Sequence, residues 1–212
     1  MTAPDPAQLN EQFLDGDLGE HEAAFLQLAA LASAAHDRFA FRDEVSAVRF
    51  YEELYRRGGA DFAPPAGRLL LVGGRPAGMF ALVPPAALQR SRLVGAMMLA
   101  RSEHLRGDPA LVERLKLAAS TLVRPTSADA YLSRLAVDPA MTGRGIGHRL
   151  LETAMGATRE LGLLRCVLEV ADDNERAVAL YRTAGFEEIG SQSTRDPETG
   201  ASLGYLHMAR AA

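Results

Sequence analysis

The chain has 212 residues, 48% of them apolar, and a formal net charge of −4 at neutral pH. That length fits one domain with an elaborated part, and the apolar content excludes extended disorder. The mild acidity excludes the clustered basic surface that nucleic acid demands, and the richest apolar stretch, residues 93–100, is far too short to cross a bilayer.

Taken in chain order, the first twelve residues or so, with Pro4 and Pro6, read as a mobile tail, and no basic start followed by an apolar block suggests a secretory signal. Residues 20–36 carry Phe25, Leu28 and Leu31 at helical spacing, and 43–57 carry Val45, Val48, Leu54 and Tyr55, with Gly58–Gly59 as a stop. The period then changes. Residues 68–72, the Gly73–Gly74 pair and residues 77–83 predict a β-hairpin, ended by Pro84–Pro85. Residues 86–124 predict two helical pieces broken near Gly107–Asp108–Pro109, long enough to count as an insertion.

Beyond a linker at 125–129, residues 131–137 predict a strand, 139–147 a glycine-rich turn, 148–161 a helix and 165–170 another strand. A helix over 174–184 begins at a capping Asn174 and stops at Gly185, and strands over 186–192 and 203–209 close the chain. Such alternation implies an α/β (α+β) fold: a mixed sheet with helices on both faces, in one domain over 1–212.

Cys166 is the only cysteine and sits in an apolar run, as a small buried strand residue would; with no intrachain disulfide, a reducing, cytoplasmic compartment is expected. The five histidines show no paired ligand spacing, so no metal is expected.

Thr142–Gly143–Arg144–Gly145–Ile146–Gly147 lies between a strand and a helix. Glycines let the backbone approach a ligand, and the first helical N–H groups have no internal acceptor. With the helix dipole behind them they form an anion site suited to a diphosphate. His148 stands where a dinucleotide fingerprint would need its third glycine, and a Gly-Lys-Ser/Thr phosphate loop is absent.

Leu135–Ala136–Val137–Asp138–Pro139, the loop glycines and Leu150–Leu151 together resemble the acyl-CoA motif of the GNAT N-acetyltransferase superfamily. The downstream Leu168–Glu169–Val170, Asn174–Glu175–Arg176–Ala177, Leu180–Tyr181 and Gly185–Phe186 resemble it as well. The resemblance is close over about 131–209 and loose over 68–83. It implies a mostly antiparallel sheet with splayed central strands and acetyl-CoA as cosubstrate. Pantetheine would bond the backbone of Leu135, Ala136 and Val137 and lie near Asn174. The diphosphate would sit on the amides of Gly143, Arg144, Gly145, Ile146 and Gly147, with His148 nearby. At the first loop position the family carries Gln or Arg; Thr142 supplies a hydroxyl but no charge, leaving that to Arg144.

Acetyl transfer to an amine needs a neutral nitrogen, a stabilised oxyanion and a proton for the thiolate. The resemblance implies Tyr181 as the acid. Glu169, twelve residues earlier, stands where relatives acting on protein N-termini keep a base; a solvated or merely structural carboxylate is the other reading. Val137 N–H is the expected oxyanion donor, and Ser133 could only position water. The partners expected are acetyl-CoA and an amine acceptor, with no nucleic acid and no membrane. Around the acceptor, Asp15, Asp17, Glu20 and Glu22, then Arg195, Asp196 and Glu198, could attract a cation or simply be solvated. The insertion, with Met97 and Met98, either packs on the core, covers the acceptor or forms a homodimer contact. Rival readings are a non-catalytic acyl-CoA-binding module of this fold and a dinucleotide oxidoreductase.

Overall fold

A computed structural model describes residues 10–41, 44–101 and 109–212. Among them, seven strands form one sheet: β1 Glu11–Leu14, β2 Gly67–Val72, β3 Arg75–Val83, β4 Asp129–Val137, β5 Arg165–Ala171, β6 Glu187–Arg195 and β7 Ser202–Ala211. The spatial order is β1-β2-β3-β4-β5-β7-β6. Neighbours run antiparallel except β4 and β5, which are parallel and pair at only three positions, Asp129 with Arg165, Ala130 with Cys166 and Tyr131 with Val167.

Helices cover both faces. On one, α6 (Ile146–Glu160) and α7 (Glu175–Thr183) pack Leu150, Leu151, Met155 and Val178 on Phe80, Leu82, Leu132, Leu168 and Met208. On the other lie α1 (Glu22–Ala32), α2 (Ala34–Ala40), α3 (Glu44–Arg56), α4 (Pro85–Arg101) and α5 (Pro109–Ser120). There Phe25, Leu28, Tyr51 and Leu111 meet Leu69, Leu71, Met79 and Ala81. Burial on both faces explains why β2 and β3 read as nearly unbroken apolar runs.

Two expectations need correction. From Glu11 the supposed tail is a strand, held by register with β2 (Phe13 opposite Leu70) and by an ion pair from Glu11 to Arg149 on α6; residues 1–9 lie outside the described set. The helix expected over 20–36 is a 3-10 turn at Gly19–His21 followed by α1 and α2. The break falls at Ser33 (φ −108°, ψ 10°), whose amide bonds back to Ala30 O, closing a tighter turn.

The insertion supplies α4 and α5 between β3 and β4, and the expected break at 107–108 lies outside the described residues. Its packing is mixed. Leu88, Leu111, Arg114 and Ala118 are buried, with Arg114 Nε donating to Ala40 O at 2.8 Å. Leu93 and Met97 are exposed; the side chain of Met98 lies outside the described set.

Candidate active site

The site begins where β4 and β5 part. Beyond Tyr131 and Val167 the two strands share no pairs, although β4 runs on to Val137 and β5 to Ala171, so a gap opens between them. Across β3, Asp138 N donates to Ala77 O at 2.9 Å. Because main-chain groups alternate sides along a strand, those of Leu135 and Val137 turn toward the gap, while Ala136 turns toward β3. The approach there is close: a Cβ built on Gly78 would lie 2.7 Å from Ala136 O.

A bulge sets which side chains enter. Ala81 pairs with Arg134 and Leu82 with Leu132, leaving Ser133 as an extra residue. One extra residue reverses face parity. Leu132 lies under α6, and after the bulge Leu135 and Val137 do so, while Arg134 turns to the α1–α3 side.

The glycine loop delivers a helix N-terminus to the same gap. Asp138 Oδ1 accepts from Ala140 N at 2.8 Å and starts a single 3-10 turn. Gly143 (φ 78°) and Gly145 (φ 75°) then take left-handed conformations that side chains disfavour. The first α6 bond runs from Arg149 N to Gly145 O, 3.2 Å, so the amides of Ile146, Gly147 and His148 lack helical acceptors. Thr142 donates its hydroxyl proton to Pro139 O (3.0 Å), which leaves only its lone pairs for the loop. His148 is exposed, with Nε2 3.3 Å from Thr183 Oγ1. Asn174 caps α7 by accepting from Ala177 N at 3.1 Å.

A cavity of about 930 Å³ threads the gap from this loop to the α1–α2 side. Thr142, Gly143, Gly145 to His148, Leu135 to Val137, Asn174, Tyr181 and Glu169 all line it. Arg144 is exposed and forms no part of the wall. Neither do Asp15, Asp17, Glu20 and Glu22, nor Arg195, Asp196 and Glu198. Asp17 accepts from Gly19 N, and Asp196 accepts from Thr199 in the β6–β7 turn.

Tyr181 is buried on α7 against Phe186, ring centroids 5.8 Å apart, and its hydroxyl has no protein partner among the described residues. Burial raises its pKa, so the phenol stays protonated. Glu169 faces the other side of the sheet. Its Oε1 accepts from Tyr131 Oη at 2.5 Å and its Oε2 from Val123 N at 3.2 Å. Burial pushes the carboxyl up to about 7, while those two hydrogen bonds and the Arg134 charge restrain it.

A family model described as the acetyltransferase (GNAT) family matches residues 48–186. The chain belongs to that family. Among its relatives, the N-alpha-acetyltransferase RimI of Mycobacterium tuberculosis is 48% identical over 56 residues, 26% of this chain and 34% of that protein. The ribosomal protein bS18-alanine N-acetyltransferase of Escherichia coli K12 is 33% identical over 99 residues, 47% of this chain and 67% of that one. This chain spans 19% and 27% of two further relatives. An N-acetyltransferase from Staphylococcus aureus Mu50 shares the fold, with a TM-score of 0.70 at 14% identity over 94% of this chain and 100% of that one.

Three residues of this GNAT chain's site escaped the sequence reading. Tyr131 and Val123 reach Glu169 across 38 and 46 residues, a juxtaposition no local pattern signals. Arg134 had a signal: it is a charge inside the apolar run Tyr131–Leu132–Ser133–Arg134–Leu135–Ala136–Val137.

Proposed function

We propose that this chain, read as one acetyltransferase domain, transfers the acetyl group of acetyl-CoA to a primary amine. One observation carries the reading: a single cavity joins free helix-terminal amides to a half-buried carboxylate and an unpartnered tyrosine hydroxyl across the parted strands. The diphosphate rests on the amides of Gly143 to Gly147, and pantetheine runs along Leu135 and Val137 toward Asn174. His148 lies beside the diphosphate, with Thr142 and Arg144 on the loop.

The amine gives up its extra proton to Glu169, and its lone pair attacks the thioester carbonyl, forming the C–N bond. Val137 N–H takes the tetrahedral oxyanion. The nitrogen gives its second proton to solvent as the oxyanion collapses, the C–S bond breaks, and the thiolate takes the Tyr181 proton. Proton exchange with solvent then resets Tyr181 and Glu169. Products are the N-acetyl amide and free CoA thiol. A carboxyl near 7 suits an α-amino group of pKa about 8 better than a lysine-like amine at about 10.4. The names of the RimI and bS18-alanine relatives support the same acceptor class.

The test joins two measurements. Acetyl-CoA and CoA should raise the melting temperature in a concentration-dependent way, while NAD and ATP should not. Thiol release should follow with members of an amine panel covering amino acids, N-terminal peptides, polyamines and aminoglycosides. Stabilisation without release from any amine would favour a non-catalytic acyl-CoA-binding module.

A further inference from the structure

We infer that the acceptor amine carries a carboxylate a few bonds from its nitrogen, bound by Arg134 across the gap from Glu169. The inference rests on the transferase reading and names its substrate class.

The bulge at Ser133 aims Arg134 into the acceptor side of the cavity. There its guanidinium lies over two aromatic rings, 5.5 Å from the Tyr51 centroid and 5.4 Å from that of Phe62. Cation–π contact of this kind leaves its N–H donors unused. Among the described residues only Nη1 is engaged, donating to Ser133 O at 2.9 Å, and Nε is buried with no acceptor. No carboxylate forms an ion pair with it among the described residues. Of the acids sharing its field, Asp61 acts most strongly but forms no ion pair with it among the described residues, and the others are committed. Asp37 accepts from Tyr51 Oη at 2.5 Å and lies 3.3 Å from His36 Nδ1, Glu169 accepts from Tyr131 and Val123, and Asp61 acts only through space.

A half-buried cation whose Nε is buried without an acceptor is costly, and a planar carboxylate is the partner that meets the fork in two parallel bonds. Spacing agrees. Arg134 lies three residues beyond Tyr131 and Glu169 two beyond Val167, the last paired positions, so each stands roughly 7–10 Å along its own lip of the gap. A molecule with its ammonium toward Glu169 and its carboxylate toward Arg134 spans that gap. A polycation does not, because Arg134 repels it.

Matched pairs test this: L-alanine, L-phenylalanine and L-glutamate against their α-amides, and Glu-Ala and Asp-Ala peptides against their Gln and Asn counterparts, all followed by thiol release. The two arms separate a free amino acid from an acidic peptide N-terminus. In the wild type the carboxylate member of at least one arm should have kcat/KM about tenfold higher or more. Arg134→Gln should bring that ratio toward one, and Arg134→Lys should restore part of it. A purely structural Arg134 would lower both members alike and leave the ratio intact, which overturns the inference. So does a wild-type preference for amides or polyamines, a result that needs no variant to fold and leaves the transferase reading standing. Acetyl-CoA binding without release from any pair overturns both.

Discussion

Tyr131→Phe removes the hydroxyl that donates to Glu169 and leaves its ring among Val83, Leu88 and Val167. Burial has already pushed the carboxyl up to about 7, and that hydrogen bond is the first of the effects holding it down. A hydrogen bond to a charged group contributes about 1.5–3 kcal/mol. One pKa unit corresponds to about 1.36 kcal/mol, so the Glu169 carboxyl should titrate about one to two units higher in the variant. At about pH 7 its ionised fraction then falls from about half to between a tenth and a hundredth. With Glu169 as base, kcat/KM at that pH should drop about five- to fiftyfold and recover toward about pH 9. The assay is kcat/KM from thiol release, measured from about pH 5.5 to about pH 9.5 on both proteins, with an amine that the wild type accepts. An inflection that stays in place while the rate falls equally at every pH would refute the assignment of Glu169 as the titrating base.

Tyr181→Phe should lower kcat by about ten- to a thousandfold with little change in acetyl-CoA affinity, as titration calorimetry and steady-state kinetics would show. Gly145→Asp places a side chain at φ 75° and a negative charge beside the diphosphate site, so it should abolish stabilisation by acetyl-CoA; a retained shift would show that the loop is misassigned. Glu169 titrates near 7 when folded against an ordinary 4.5, so the fold binds its proton more tightly than the unfolded chain does. Stability is therefore full at low pH and is lost as pH rises from about 4.5 through about 7. Glu169→Gln should flatten that slope in thermal melts, and identical slopes for both proteins would contradict it.

The parts legible in the sequence are those built from local chemistry. The Asn174 cap, the Gly185 stop, the Gly73–Gly74 hairpin and the glycine loop each announce a backbone requirement within a few residues. What escaped is what distant pairing decides. β1 is only four residues long, and it exists because β2 offers an edge in register, as Phe13 opposite Leu70, 57 residues away, shows. That β7 inserts between β5 and β6 follows from pairing Glu169 with His207, which periodicity does not reveal. The bulge is a register event between β3 and β4, so the reversal that brings Arg134 to the cavity was invisible although the residue itself stood out. In the same way Glu169 came to notice through the family resemblance, but its hydrogen-bond partners did not.

The three residue pairs that join β4 to β5 make a narrow waist between a four-stranded and a three-stranded half of the sheet. The waist is pinned at its closed end by Arg165 Nε donating to Asp129 at 2.7 Å, the bond that holds that carboxyl at about 2. A thioester bound as proposed in the open end would touch both halves at once and work as a clasp opposite the pin. Occupancy therefore ties the halves into one cooperative unit, and amide exchange along Leu168–Ala171 and Leu135–Val137 should slow together when acetyl-CoA is present.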